Sequence, residues 1–119
     1  MPTCRPDEPM GEVRARVVDA GWETCLVVND ERIVFGILRE RELTRSTGQV
    51  GPVERFMRPG PSTFRPNVSI VEMAAFMSEH DLVSSPITTS DGRLVGLLRK
   101  DDAVRVAQEI QGHHHHGGR

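Results

Sequence analysis

The chain has 119 residues, of which 37% are hydrophobic and 27% charged, a composition typical of one globular domain with its own core. The net charge of −2, from 15 Lys and Arg against 17 Asp and Glu, excludes an overall electrostatic preference for nucleic acid or for anionic membranes. No segment approaches the roughly 18 apolar residues that span a bilayer, and no basic segment followed by an apolar one opens the chain. We therefore expect a cytoplasmic protein that does not enter a membrane.

The first half of the chain predicts four elements in the order helix, strand, strand, helix, over residues 10–21, 24–28, 32–38 and 40–46. The first helix ends at Gly21, and an Asn29-Asp30 turn separates the two strands. Pro9 stands at the helix cap, where it offers no side-chain oxygen, so we expect a weak N-terminus.

A linker rich in Gly and Pro, residues 47–61, follows the first half. Within it, the segment VERFM predicts one helical turn, which the segment RPGP then stops.

The second half repeats the same order of elements. Ser69 and Glu72 form a capping box before a helix whose apolar positions have helical spacing: Ile70, Met73, Ala74 and Met77. Two strands, residues 84–89 and 93–98, flank a Ser-Asp-Gly turn at residues 90–92. The segment 99–110 returns to helical periodicity through Ala103, Val106, Ala107 and Ile110.

The two halves align without gaps when the chain is shifted by sixty residues against itself. Identical residues then coincide in several places: Thr3 with Thr63, Arg5 with Arg65, Pro6 with Pro66, Glu12 with Glu72, Ala15 with Ala75, Gly36 with Gly96, Leu38 with Leu98 and Arg39 with Arg99. Two copies are too few for a solenoid, so we expect one α/β domain with pseudo-twofold symmetry. Its copies occupy residues 1–46 and 62–111, with two small sheets side by side and helices packed on them.

The second copy and the linker before it resemble the cystathionine β-synthase domain, or CBS domain. The resemblance rests on a Met-x-Pro linker, a Thr-containing strand, a helix, a Pro-containing strand, an Asp-Gly turn and an apolar strand with an internal Gly, in that order. It covers residues 3–110 in both copies. It implies a tandem pair, commonly called a Bateman module, and a homodimer, for which we expect exposed apolar helix residues such as Val17 and Met77.

The resemblance also implies where a ligand binds. In the family, a Ser/Thr-x-x-Asp motif follows the apolar strand and contacts the ribose of an adenosine ligand. The corresponding residues here are Arg99 and Asp102 in the second copy, and Arg39 and Glu42 in the first. An ionised carboxylate can accept hydrogen bonds from both ribose hydroxyls. Because Glu42 carries an extra methylene, Asp102 is the preferred ribose contact.

Arginine in place of the hydroxyl leaves three interpretations open. Arg39 and Arg99 either bind phosphate oxygens, which favours AMP, ADP or ATP, or lie across the cleft and close it. A third interpretation makes these arginines ordinary helix-start residues, with Glu42 and Asp102 stabilising the first helical turn.

The walls of the cleft are expected to come from the first strand and from the entry to the second strand of each copy. In the second copy these residues are Thr63, Phe64, Arg65, Val83, Ser84, Ser85 and Pro86. In the first copy they are Thr3, Cys4, Arg5, Glu23, Thr24, Cys25 and Leu26.

The sequence gives little support for a metal site, a redox-active cysteine pair or a catalytic centre. Cys4 and Cys25 are too few and too far apart for a zinc knuckle or a Cys-x-x-Cys pair, so we expect reduced thiols. The tail, residues 112–119 with its four histidines, is expected to be a tag or disordered, and no metal site is expected. The sequence contains no recognised catalytic motif, so we expect a protein that is not an enzyme.

The leading hypothesis is a free-standing regulatory pair that senses an adenosine-containing ligand and signals to an effector protein of unknown identity. The alternative is a pair that binds no small ligand and acts as a dimerising scaffold. A weaker alternative is single-stranded nucleic-acid binding through Arg14, Arg16, Arg39 and Arg41, which lack interleaved aromatic residues.

Overall fold

A computed structural model describes the backbone of residues 1–117 and the side chains of residues 1–112. The elements in chain order are β1 (Thr3–Cys4), α1 (Met10–Asp19), β2 (Cys25–Val28), β3 (Val34–Leu38), α2 (Glu40–Arg45), a 3-10 turn (Val53–Arg55), β4 (Arg58–Pro59), α3 (Ile70–Glu79), β5 (Ser84–Thr88), β6 (Leu94–Arg99) and α4 (Lys100–Gly117). In this part of the chain, no helix has the length and apolarity that crossing a bilayer requires. The boundary of the predicted tail stays a prediction, because residues 118 and 119 and the histidine side chains lie outside the described residues.

Local hydrogen bonds cap α3 and hold the first hairpin turn, whereas α1, the equivalent of α3, has no side-chain cap. The Ser69 hydroxyl accepts the N–H of Glu72 at 3.2 Å and so caps α3, as the sequence predicts. Pro9 offers α1 no such bond. In the first hairpin, Asn29 Oδ1 accepts the backbone N–H groups of Glu31 and Ile33, each at 2.9 Å, which holds the predicted turn.

The two sheets repeat the same strand pairing after a shift of sixty residues. In the first sheet, of order β1-β2-β3-β4, Cys25 faces Leu38 and Val27 faces Gly36; β2 and β3 run antiparallel. In the second sheet, β5 and β6 repeat these pairs as Ser85 with Leu98 and Ile87 with Gly96. A bulge interrupts both ladders at the equivalent position, so the duplication extends to the register of individual residues.

Two backbone hydrogen bonds join the copies at their hairpins. Val34 N–H donates to the Gly92 carbonyl at 3.0 Å, and Leu94 N–H donates to the Arg32 carbonyl at 2.8 Å. The sixty-residue shift converts each of these bonds into the other, so the pseudo-twofold axis passes between them. Arg32 has a φ of 64° and Gly92 a φ of 86°, the left-handed conformation that both turns require.

Three hydrophobic clusters fill the layers of the molecule. One lies between the first sheet, α1, α2 and the linker, the second lies between the two sheets, and the third lies between the second sheet, α3 and α4. Val17 and Met77 are fully buried, so the expectation that they form an exposed dimer face was wrong. They belong to the inner stripes of α1 and α3, whereas the neighbouring Val18 is exposed. Ile110, predicted on the inner stripe of α4, is also exposed.

The linker strand β4 covers the edge of the first sheet and has no equivalent on β6 among the described residues. Gly36 of β3 pairs with Pro59, and a Cβ at Gly36 would lie 2.9 Å from the Arg58 carbonyl oxygen and 2.5 Å from Met57 Sδ. At the equivalent Gly96, a Cβ would meet nothing within 4 Å. The strand glycines are therefore identical in sequence but unequal in their surroundings.

This difference predicts unequal effects of the same substitution on stability. Gly36→Ala should lower the free energy of unfolding by about 1–3 kcal/mol, because the methyl group collides with the β4 backbone. Gly96→Ala should leave it unchanged or raise it by up to about 1 kcal/mol, because alanine restricts the unfolded chain. Urea denaturation of the two variants measures both values, and equal destabilisation would contradict the close packing of β4 on Gly36.

Candidate functional site

A cavity of about 640 Å³ lies between the two copies at the end of β3. Its first wall is the entry to β2 and the start of α2, residues 23–24 and 39–42. Its second wall is the loop from α3 to β5 in the other copy, residues 80–83, and Arg58 of β4 completes it. The face-to-face arrangement of the copies therefore brings residues distant in sequence to one cleft.

Arg39 connects the two walls of this cleft. It precedes α2 in an extended conformation, and its Nη2 and Nη1 atoms donate to the carbonyl and hydroxyl oxygens of Ser84 at 3.1 and 3.4 Å. Burial lowers the pKa of Arg39, and the nearby Arg58 lowers it further, while Glu42 opposes both. Arg39 thus reaches across to the other copy, and the hydrogen bonds of its guanidinium go to Ser84 rather than to the side chain of Glu42.

Glu42 is held inward at the start of α2. Only 5% of the residue is exposed, and its Oε1 accepts the backbone N–H of Arg39 at 2.9 Å. A glutamate at the third helical position commonly caps a helix in this way, as the helix-start interpretation proposes. The other carboxylate oxygen has no hydrogen bond among residues 1–112.

The equivalent cleft in the second copy is nearly filled. Trp22 stands where Leu82 stands in the open cleft, and the Arg99 guanidinium lies 4.2 Å from the centroid of the Trp22 ring. The remaining cavity is about 70 Å³ and is lined by Asp101 rather than Asp102. Asp102 is exposed, with its Oδ1 at 3.5 Å from Arg105 Nη2.

The structure brings only some of the predicted wall residues to a cleft. Those lining the larger cavity are Glu23, Thr24, Arg39, Glu42 and Val83, and those lining the smaller one are Glu23, Thr24, Val83, Ser84 and Arg99. The predicted residues that line neither cavity are Thr3, Cys4, Arg5, Cys25, Leu26, Thr63, Phe64, Arg65, Ser85, Pro86 and Asp102.

The predicted residues outside the clefts have other contacts. Arg5 forms an ion pair with Asp30, and Thr63 Oγ1 accepts the Thr88 hydroxyl at 3.1 Å. The Ser85 hydroxyl donates to the Ser62 carbonyl at 3.0 Å. These bonds hold strands and turns together and account for several of the hydroxyl positions.

The two cysteines meet in the first hydrophobic cluster, which their spacing in the sequence did not predict. Both are buried, and neither forms a disulfide. A hydrogen bond with Cys4, together with burial, raises the pKa of the Cys25 thiol, so the neutral thiol is favoured.

Several residues of the open cleft were missed in the sequence. His80 was not among the predicted site residues, yet it lines the cavity, with its ring stacked on Phe76 and Nδ1 at 3.0 Å from the Phe76 carbonyl oxygen. Asp81, Leu82 and Arg58 line it as well. The sixty-residue shift aligns Leu82 with Trp22. This difference in side-chain size could have indicated that the cleft beside Leu82 is the more open one.

Comparisons with known proteins agree with this architecture. The CBS domain family matches residues 1–47 and 53–109. Inosine-5'-monophosphate dehydrogenase from Mycobacterium tuberculosis is 27% identical over 107 residues, which cover 89% of this chain but only 20% of that enzyme. The counterpart from Mycobacterium leprae gives the same identity and coverage.

Solved structures share the fold at low sequence identity. CBSX2 in complex with AMP has a TM-score of 0.81 at 20% identity, covering 92% of this chain and 88% of that one. The cytosolic domain of the Mg²⁺ channel MgtE in complex with ATP has a TM-score of 0.78 at 24% identity, covering 88% and 44%. Since the family match spans both copies, the chain belongs to the CBS domain family as a tandem CBS pair.

Proposed function

We propose that this CBS pair is a non-catalytic regulatory module that binds an adenosine-containing ligand in the larger cleft. The observation that carries the proposal is the cavity of about 640 Å³ between the copies, because small-molecule sites typically enclose about 300–1,000 Å³. Ligand binding there would contact both copies and change how they pack, and an effector protein would respond to that change.

The polar groups of the cleft suit a nucleotide. Glu42 keeps one carboxylate oxygen that has no hydrogen-bond partner among residues 1–112, and this oxygen can accept a hydrogen bond from a ribose hydroxyl. Arg39 uses two of its nitrogens on Ser84, and a guanidinium carries further N–H donors for phosphate oxygens. AMP bound to CBSX2 and ATP bound to MgtE support the adenosine class of ligand.

The second cleft, with Asp102, is the other candidate site. The sequence motif favours Asp102, whereas the cavity favours Glu42. Arg99 stacked on Trp22 supports the alternative in which arginine closes this cleft. The larger cleft is therefore the one proposed to bind ligand.

A dimerising scaffold without a small ligand remains the second candidate. The hydrogen bonds from Arg39 to Ser84 already tie the copies together, and Val18, Val83 and Val95 leave more than half of their surface exposed. A homodimer that covers such residues is compatible with either function. Nucleic-acid binding is less favoured, because Arg14 donates to the Ser46 carbonyl at 2.8 Å and Arg16 pairs with Glu8 at 3.2 Å.

The ligand class can be tested by thermal denaturation with AMP, ADP, ATP, NAD and S-adenosylmethionine. A ligand at a hundred times its dissociation constant should stabilise the protein by about 2.7 kcal/mol, because it binds only the folded state. If none of the five compounds shifts the transition, the sensing proposal fails and the scaffold takes its place.

The choice between clefts can be tested with Glu42→Gln and Asp102→Ala. The glutamine can still accept the Arg39 N–H but loses the charge, so we expect about 10- to 100-fold weaker binding of the adenosine ligand with little loss of stability. Asp102→Ala should change the affinity less than about twofold. Calorimetry that shows the larger loss for Asp102→Ala would move the site to the second cleft.

The occlusion of the second cleft predicts a change in stoichiometry. Trp22→Leu combined with Arg99→Ala gives this cleft the smaller side chain of its counterpart and removes the stacked cation. We expect calorimetry to report one ligand per wild-type chain and two per variant chain. An unchanged stoichiometry would show that Trp22 and Arg99 do not block binding there.

A further inference from the structure

A second cavity, of about 530 Å³, adjoins the proposed ligand cleft on the side of the linker. The cavity is lined by arginines from the start and the end of α2, from the 3-10 turn and from β4: Arg41, Arg45, Arg55 and Arg58. Arg41, Glu42 and Arg58 line both cavities, whereas Arg45 and Arg55 line only the second. The arginines therefore form an ordered series that leads away from the ligand cleft.

Among the described residues, no ion pair neutralises the arginines of this cavity. The ion pairs among residues 1–112 involve Arg5, Arg16 and Arg105, and none of the four cavity arginines. Glu42 is the one acid that lines the cavity, and one of its oxygens is committed to the Arg39 N–H. Arg58 also disfavours the charged form of Arg39. Grouped like charges repel one another, so a bound polyanion would relieve an unfavourable arrangement.

The fold itself positions these side chains. Arg58 pairs with Ile37 in the ladder between β3 and β4, which fixes the backbone of Arg58 beside the start of α2. Arg41 and Arg45 lie one turn apart on the same face of α2. Arg55 packs over Gly51, whose Cβ position would be 3.5 Å from Arg55 Nη1. All four arginines are exposed, so a ligand can reach them, and they come from three separate elements around one cavity.

We propose that the second cavity holds the phosphate chain of a nucleoside polyphosphate whose nucleoside lies in the larger cleft. This inference rests on the proposed function and narrows its ligand class. The phosphate nearest the ribose would meet Arg39, Arg41 or Arg58 at the shared wall, and only a longer chain would extend to Arg45 and Arg55. Guanidinium groups suit this role because their N–H donors match pairs of phosphate oxygens.

The test is calorimetric titration of the full chain with adenosine, AMP, ADP, ATP and inorganic tripolyphosphate. The variants are Arg45→Ala, Arg55→Ala and the double substitution, and Arg93→Ala serves as a control because this exposed arginine lines neither cavity. In the wild type, affinity should rise from AMP to ATP. The double variant should lose at least about tenfold in ATP affinity and less than about twofold in AMP affinity. Arg93→Ala should change neither.

The outcomes separate this inference from the proposed function. If AMP binds but ATP binds no more tightly, and the double variant binds both like the wild type, the phosphate cavity is overturned and the nucleotide cleft stands. If no adenine compound binds but tripolyphosphate does, and the double variant loses that binding, the phosphate cavity is supported and the proposed function is overturned. Circular dichroism of each variant confirms that it is folded, as expected for exposed side chains.

Discussion

The geometry of both clefts depends on the two backbone hydrogen bonds that join the hairpins, from Val34 to Gly92 and from Leu94 to Arg32. They fix the copies face to face, and Leu26, Ile37 and Leu94 then pack between the sheets. With the sheets held in this way, the start of α2 faces the loop that enters β5, and the start of α4 faces the loop that enters β2. Each cleft is therefore built from both copies, and neither copy could form one alone.

The asymmetry between the clefts arises from a few residues on an otherwise repeated backbone. Trp22 replaces Leu82 and supports a stacked Arg99, whereas Arg39 instead reaches Ser84. Glu42 has the length to cap its own helix, while the shorter Asp102 pairs with Arg105 on the surface. The two sheets have equivalent strand registers, yet one cleft is open and the other is filled. The reason is that the backbone sets the register, whereas the side chains set the volume of the cavity.

Much of the fold could be predicted because its signals are local and because the order of elements occurs twice. The capping by Ser69, the turn at Asn29 and the alternation of helices and strands each depend on residues close in sequence. The sixty-residue shift, together with the resemblance to the CBS domain, predicted the pairing of the copies, and the family match confirms it.

The site was less predictable because its contacts join residues far apart in the chain. Whether Trp22 is exposed or lies beneath Arg99 depends on how the copies pack, which no local pattern encodes. The arginines of the linker and α2 likewise converge only once β4 pairs with β3. Val17 and Met77 illustrate a different difficulty. Met77 shares the helical spacing of the other apolar positions of α3, yet both residues were expected on an exposed dimer face, and both are buried.

The filled second cleft has a consequence for the shape of a dose–response curve. Two open, pseudo-equivalent clefts in one chain could influence each other, because a ligand in either would contact both copies and bias the same packing equilibrium. With one cleft occupied by Trp22 and Arg99, the proposed function leaves a single chain with one ligand site, and its saturation would be hyperbolic. Any steeper, switch-like response would have to originate between chains, if protomers associated and so coupled one cleft to another.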